Sequence, residues 1–144
     1  FIWHEMQQST SLVRFMKGMI QLRCTEKLLL NKQFLNSDDV TWHGLRPNLP
    51  DWSETSNFVA YTLHDKENHQ DLYIAFNASY QAQTISIPPL KEGFEWVWVV
   101  NTQALSPHDY MHPTAHLTVQ ENRIKIDKYS SIILKHLPNL SNKL

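Results

Sequence analysis

Apolar positions recur every three to four residues in the first part of the chain. The positions that set this period are Leu12, Phe15, Met16, Met19, Ile20 and Leu22. The spacing predicts one long helix that has Ser9, Thr10 or Ser11 as its N-cap and runs to about Leu30. Its apolar face is broad, and a lone helix of this length is marginal in water, so we expect a neighbouring domain to cover it. Gly18 in its middle either lets another backbone come close or is a tolerated weakness.

After Asn36 the period changes from 3.6 to 2. Short β-rich runs follow at 40–43, 57–65, 71–77, 83–87, 95–100, 115–119, 122–126 and 130–135. This pattern predicts a mainly β fold, an antiparallel β-sandwich of about eight short strands preceded by one long helix. We expect the run at 115–119 to pair with the run at 122–126 through a turn at 120–122. The predicted division of the chain is 1–36 for the helical part and 37–144 for the sandwich.

The composition of the chain excludes some classes of partner but does not identify a function. The 144 residues, 42% of them hydrophobic, suffice for one domain. A net charge of -1 offers no basic field, so nucleic acid and membrane surfaces are not expected partners, and no apolar run approaches the ~20 residues that span a bilayer. The single Cys24 is expected to be a packed core thiol, which favours a reducing compartment. Because the chain begins at Phe1 rather than Met, we expect a fragment of a longer polypeptide.

Four phrases stand in a fixed order along the chain: SLVRFMKGMIQLR, TWHGLRPNLPDWSETSNFVAYTLHD, DLYIAFNAS and YSSIIL. With them stand the shorter phrases WHG and PDWSETS, and SPHDY at Ser106 to Tyr110. In these features the chain resembles the C-terminal end of isoamylase-type glycogen debranching enzymes of the α-amylase superfamily, and plant-type isoamylases in particular. One departure is Thr25-Glu26-Lys27, where many bacterial members carry a proline after the helix.

The resemblance implies that the helix is the last helix of a (β/α)8 barrel and that the sandwich follows it. In the parent enzyme it implies hydrolysis of α-1,6 branch linkages with retention, through two carboxyl groups ~5 Å apart. Those carboxylates belong to barrel strands upstream, so no catalytic residue carries over and we expect this chain alone to be inactive. The implied partners are the upstream barrel and branched α-glucan, no cofactor is implied, and the expected location is the cytoplasm, or the plastid stroma in a plant.

The carboxylates and histidines of the chain favour ordinary structural roles. Adjacent side chains of an extended segment point to opposite faces, so Asp38 and Asp39 cannot flank one glycosidic bond, and a turn role is expected for them. Solvated loop positions are expected for the other candidates, which are Asp51, Glu54, Asp65, Glu67 and Asp71. A zinc site on His112 and His116 is disfavoured because Pro113 interrupts the helix that it would need. No metal site is therefore predicted.

Tryptophan is the residue type that could contact sugar. A pyranose ring packs its C–H face on an indole, while polar side chains at the rim bond its hydroxyls. Trp52, beside Asp51, is the first candidate for carbohydrate contact, and Trp42 with His43 is the second. Domain-interface packing of Trp52, burial of Trp42 and a purely structural His43 stay open as alternatives. Trp96 and Trp98, at i and i+2, are expected to share one face of a strand.

Two other functions are compatible with the same architecture. A free-standing carbohydrate-binding sandwich would leave the wide apolar face of the helix uncovered. An immunoglobulin-like module for protein interaction would not account for the WHG and PDWSE phrases, and a shared fold does not establish a shared function.

Overall fold

The chain forms one helix followed by seven strands in the computed structural model, which describes residues 9–115 and 117–139. Helix α1 spans Thr10–Thr25, and a short 3-10 helix follows at Lys27–Leu29. The strands are β1 (Val40–His43), β2 (Phe58–Leu63), β3 (Leu72–Asn77), β4 (Gln83–Ser86), β5 (Phe94–Asn101), β6 (Arg123–Ile126) and β7 (Ser130–Pro138). A second 3-10 helix lies at Pro113–Ala115.

The predicted helix is confirmed, although its last turn differs from the expectation. It ends where Glu26 adopts an extended backbone, whose N–H still donates to the carbonyl of Leu22. The Glu26 carboxylate then accepts a hydrogen bond from the backbone N–H of Leu28 and so caps the 3-10 helix. The apolar run up to Leu30 therefore forms an α-helix and then a tighter turn.

The strands form an antiparallel sandwich of two unequal sheets, as the period-2 pattern predicts. The larger sheet has the order β1-β2-β3-β7-β5, and the smaller one pairs β4 with β6. All of these pairings are antiparallel. Strand β1 is an edge of the larger sheet, and its register places Trp42 opposite Tyr61.

The predictions of a strand at 115–119 and of its hairpin with 122–126 are wrong. Residues 113–115 form a 3-10 helix, and Thr118 makes a single bridge to Val97 in β5. Strand β6 pairs instead with β4, with Ile124 opposite Ile85. Short segments of alternating apolar and polar residues can pair with several partners equally well. Here the segment around Thr118 lies against β5, and β6 pairs with β4.

The larger sheet packs against another layer on each face, although α1 leaves part of its face exposed. One face packs on the small sheet through a cluster that includes Ala60, Tyr73, Ile85, Ile124, Ile126, Ile132 and Leu134. Trp96 is buried in this cluster and Trp98 packs against it, so the prediction that they share a face is confirmed. The other face packs on α1, through Leu63, Leu72, Ile74, Val100 and Ile133 from the sheet and Phe15, Met19 and Leu22 from the helix.

Polar contacts hold α1 against the sandwich at both ends. Near its start, the guanidinium of Arg14 pairs with the carboxylate of Asp109 and donates to the carbonyl of Tyr110. Just beyond its end, the carboxylate of Glu26 lies 2.6 Å from the ammonium of Lys135 on β7, and both side chains are largely buried. A buried charge without its partner is costly, so these pairs fix where the helix sits.

The central glycine of α1 allows a close approach, but by a side chain rather than by a backbone. The ring of Tyr110 lies directly over Gly18, and a Cβ built at that position would stand 2.3 Å from the Cδ1 atom of the tyrosine. Neither expected explanation of Gly18 is correct, because the close neighbour is an aromatic ring from the loop after β5.

A second apolar face of α1 is exposed. Leu12, Met16 and Ile20 are 60%, 50% and 60% accessible, and the exposed Cys24 continues their four-residue spacing. We call these four residues the outer stripe. The prediction of a packed core thiol at Cys24 is wrong for this chain, because Cys24 lies on the outer stripe rather than on the face that meets the sheet.

Candidate functional site

Four aromatic side chains form a patch on the larger sheet, in which three are exposed and one, Tyr61, is partly buried. Trp42 comes from β1, Tyr61 from β2 and Phe76 from β3, while Trp52 comes from the loop between β1 and β2. The ring centroids of Trp42 lie 5.3 Å from Trp52 and 5.2 Å from Tyr61, and Tyr61 lies 6.5 Å from Phe76. We call these four residues the aromatic patch. It is the continuation, toward the sheet edge, of the face that α1 covers.

Register and a folded-back loop produce this patch. Trp42 and Tyr61 are directly opposite each other, so they share a face. The loop then reverses, with Asn48 in the left-handed region and with the Cα of Gly44 so near the Leu49 carbonyl that a Cβ would stand 2.2 Å from that oxygen. This reversal of the chain brings the ring of Trp52 into contact with the ring of Trp42.

The two tryptophans are accessible to solvent. Trp52 is 66% exposed and Trp42 is 42% exposed, so the alternative of a buried Trp42 is wrong. Their ring planes meet at 71°, edge to face. Such aromatic pairs contribute about 0.5–1.5 kcal/mol beyond their buried area, so each ring helps to hold the other in place.

His43 lies on the opposite face, in the core. It is 3% exposed, its Nε2 lies 2.8 Å from the hydroxyl of Thr62, and its Nδ1 accepts a hydrogen bond from the backbone N–H of Asn48. Because Nδ1 accepts this hydrogen bond, the ring proton of the neutral histidine is on Nε2, which donates to the hydroxyl of Thr62. Burial, and to a lesser degree the charge of His64, lowers the pKa of His43 to about 4. His43 is therefore a packed, hydrogen-bonded histidine in the core, and it does not reach the aromatic patch.

Asp51 stands beside Trp52 at the surface. Its carboxylate accepts a hydrogen bond from the backbone N–H of Ser53, which lowers the pKa of the Asp51 carboxyl. The group therefore remains an anionic acceptor at neutral pH.

Two grooves meet at Asp51. The first has a volume of about 410 Å³ and runs between Trp52 and Phe76, with Ser53, Ser56, Asn57, Phe58, Val59 and Ala78 completing its lining. The second, of about 240 Å³, shares Asp51, Ser56, Asn57 and Phe58 and is otherwise lined by Gly44, Leu45, Thr55, Ser79 and Gln83. Together they form what we call the Trp52 groove, which is aromatic at one end and polar at the other.

Sequence reasoning missed Phe76, Asn57 and Gln83. Phe76 belongs to the β-rich run predicted at 71–77, and it is 42% exposed because the aromatic patch lies outside the area that α1 covers. The register between β2 and β3, in which Val59 lies opposite Phe76, is the information that could have placed Phe76 in the site.

The remaining carboxylates for which a role was predicted follow the expected pattern, except Asp71. Asp39 accepts a hydrogen bond from the backbone N–H of Asn36 and pairs with Lys66, so the turn role is confirmed. Asp71, however, is 6% exposed rather than solvated, with its carboxylate 3.0 Å from Nδ1 of His64 and bonded to the N–H of Asp65. Glu26 is the second buried carboxylate, in the pair with Lys135.

Residues 9–115 and 117–139 contain neither a metal-binding cluster nor a helix that could span a membrane. That part of the chain has no group of three or more His, Cys, Asp or Glu side chains that could hold a metal ion. His116, named with His112 as a candidate, lies outside the described residues. Over the same part, α1 and the two 3-10 helices are all too short or too polar to cross a bilayer.

The fold defines the class of protein as an antiparallel β-sandwich domain joined to a helix with two apolar faces. Residues 41–141 match the family described as the C-terminal domain of isoamylases 1–3. The chain belongs to this family, and the resemblance stated from the sequence is confirmed.

Three plant proteins are similar over nearly the whole chain. Chloroplastic isoamylase SU1 of Zea mays is 35% identical over 151 aligned positions, which cover 97% of this chain and 19% of the relative. Chloroplastic isoamylase 3 of Oryza sativa subsp. japonica is 36% identical, with 96% and 17% covered, and chloroplastic isoamylase 1 of Arabidopsis thaliana is 34% identical, with 93% and 18% covered. This chain therefore spans less than a fifth of the length of these relatives.

Proposed function

We propose that this chain is the C-terminal part of a debranching enzyme that hydrolyses α-1,6 linkages in branched α-glucan. Family membership supports this proposal, and the much greater length of the relatives leaves room for a (β/α)8 catalytic barrel before the chain. In this proposal residues 1–36 end the barrel and residues 37–144 are the C-terminal sandwich. The chloroplastic isoamylases among the relatives support a plastid location.

The proposed role of the chain is to stabilise the barrel by covering it. The observation that carries this role is the outer stripe, where three large apolar side chains remain half or more exposed although α1 already packs on the sheet. Full burial of such a side chain contributes about 1.5–3 kcal/mol, so covering the exposed half of each would contribute roughly 3 kcal/mol in all. A barrel that buries the outer stripe supplies that free energy.

The carboxylates of the described chain support a non-catalytic role. The two buried ones, Glu26 and Asp71, are each held by structural partners, Lys135 in one case and His64 with the Asp65 N–H in the other. Hydrolysis with retention needs two carboxyl groups about 5 Å apart that flank the scissile bond. We therefore expect the parent enzyme to cleave α-1,6 branches in glycogen and the chain alone to leave them intact.

Cys24 supplies a direct test of coverage. Alkylation at Cys24 should be fast in the isolated chain, where the thiol is exposed, and slow in the full-length enzyme, where the barrel would cover the outer stripe. Peptide mass spectrometry measures both rates at this one residue. Equal rates in the two proteins would show that the barrel does not cover the stripe.

A triple variant tests the energetic contribution. Leu12→Ser/Met16→Ser/Ile20→Ser should lower the Tm of the full-length enzyme by several degrees, yet leave the isolated chain equally soluble or more so. The matched control changes three exposed leucines elsewhere, Leu49→Ser/Leu90→Ser/Leu117→Ser, and should affect both proteins little. A full-length enzyme with an unchanged Tm would overturn the proposed role, and α-1,6 cleavage by the isolated chain would overturn the proposed division of labour.

A further inference from the structure

We propose that the Trp52 groove is a non-catalytic binding site for a linear, curved α-1,4-glucan segment. This inference rests on the proposed function, since such segments are the unbranched arms of a branched α-glucan. The site would hold an arm of the polymer while the barrel cleaves a branch elsewhere. It would act on affinity for large substrates and not on the chemical step.

The aromatic end of the groove fits the apolar face of a sugar ring. Trp52 is two-thirds exposed but is held by its edge-to-face contact with Trp42, so a sugar would meet a ring that is already ordered. Phe76 lines the same groove and is also partly exposed. Rigid aromatic side chains lose little conformational entropy on binding, which favours even a shallow site.

The polar end fits the hydroxyls of the next sugar. Asp51, Ser56 and Asn57 line both parts of the groove, and Thr55, Ser79 and Gln83 complete the polar end. The carboxylate of Asp51 accepts hydrogen bonds, and the amide and hydroxyl groups both accept and donate them, as a polyhydroxylated ligand requires. A purely protein-facing interface would more often have an apolar centre than this graded lining.

The charge of the residues that line the groove limits the chemical class of the ligand further. Among the described residues that line the two parts of the groove, Asp51 is the one that carries a charge at neutral pH, and that charge is negative. A phosphate or another anionic ligand would find no cation there and would be repelled by the carboxylate. A neutral carbohydrate meets neither obstacle.

The aromatic lining of the groove favours an α-linked chain. Trp52 lines the groove, whereas Trp42 lies outside its lining and meets Trp52 at 71°, so the two tryptophans do not form a coplanar row of rings. An α-1,4-glucan coils, whereas a β-1,4-glucan is a flat ribbon that needs aromatic rings in one plane. We therefore expect the groove to prefer maltooligosaccharides to cellooligosaccharides.

Electrophoresis of the purified chain in native gels that contain glycogen tests the site. The wild-type chain should be retarded, maltoheptaose should relieve the retardation, and cellohexaose should not. Trp52→Ala should weaken binding roughly tenfold, as expected for the loss of one stacked ring, and Trp52→Phe should recover part of it. The control Phe34→Ala removes a fully exposed aromatic side chain outside the groove and should bind like wild type. None of these substitutions changes the net charge, so mobility reports binding directly.

Kinetics of the full-length enzyme provides the second readout. Trp52→Ala should raise the KM for glycogen several-fold, and this effect should be larger than its effect on a short, singly branched maltooligosaccharide, whereas Phe34→Ala should behave like wild type on both substrates. Activity of the wild-type enzyme on that short substrate tests the proposed function separately. Equal retardation of wild type and Trp52→Ala, absence of retardation, or retardation of the chain with no change in the KM of the enzyme would each overturn the inference, the last because the barrel would then cover the groove.

Discussion

Replacement of Gly18 by alanine should destabilise the chain, although the same change in most helices is stabilising. Alanine is favoured over glycine in a helix interior by about 1 kcal/mol, because it restricts the unfolded chain and exposes less backbone. At Gly18 the added methyl group meets the ring of Tyr110, so packing opposes the intrinsic preference. The net sign depends on which of the two contributions is larger.

The geometry at Gly18 decides in favour of packing. The added Cβ would stand 2.3 Å, 2.5 Å and 2.8 Å from the Cδ1, Cε1 and Cγ atoms of Tyr110, against about 3.5–4.0 Å for a normal carbon contact. The ring would have to retreat by more than ~1 Å. Its backbone is held by a bridge to Val100, and the next residue, Met111, donates to the carbonyl of Val99. Overpacking of this kind costs about 1–3 kcal/mol, so we expect a net loss of about 1 kcal/mol.

Urea unfolding of four proteins measures this balance: wild type, Gly18→Ala, Tyr110→Ala and the double variant. Gly18→Ala should lower the free energy of unfolding in the wild-type background and raise it by about 1 kcal/mol in the Tyr110→Ala background, where the ring is absent. The reversal of sign is specific to a contact between these two residues. A stabilising Gly18→Ala in the wild-type background would refute the placement of Tyr110 over the helix.

Two further predictions concern buried ionisable groups. Glu26→Ala should cost about 3 kcal/mol in urea unfolding because it leaves the ammonium of Lys135 buried and unpaired, whereas Glu26→Leu/Lys135→Met should recover most of that loss; equal losses would contradict this reasoning. The pKa of His43 is about 4 in the folded chain and 6.5 in the unfolded chain, so the unfolded chain binds more protons between these values. The stability that neutral His43 contributes, up to about 3 kcal/mol, is therefore complete above pH ~6.5 and is lost as the pH falls toward ~4. Urea midpoints across this range should fall steeply for wild type and less steeply for His43→Gln, and parallel curves would contradict the assignment.

Local periodicity was enough to predict most of the elements. The change from period 3.6 to period 2 located β1 at 40–43, and continuous apolar runs located β2 and β3 to within two residues at each end. These signals are local, because they depend on which side of a helix or strand each residue occupies. The helix pattern could not show that its broad apolar face is two faces, one against the sheet and one exposed. Phe15 and Leu12 are equally apolar in the sequence, and only the position of the sheet separates them.

Long-range pairing could not be predicted from the same signals. The segment before the 120–122 turn and strand β6 both alternate, and nothing in either of them specifies β5 or β4 as the partner. Asp71 looked like a solvated loop residue because its partners, His64 and the Asp65 N–H, are brought to it by the return of the chain after β2. In the candidate site, the composition of the loop indicated Trp52 and Asp51. The addition of Phe76 and Gln83 depended on strand register and on the packing of the two sheets.

The proposed boundary at residue 36 and the unit that folds together need not coincide. Helix α1 lies on the barrel side of that boundary, yet it buries Leu22 against the sheet, places Gly18 under Tyr110 and is fixed by pairs at both ends. Without α1, one face of the larger sheet would expose a continuous apolar cluster, which soluble monomers rarely tolerate. The sandwich therefore depends on a helix that the barrel would also need. If the outer stripe is the surface that the barrel buries, α1 is packed from both sides, and its position sets where the Trp52 groove lies relative to the catalytic centre.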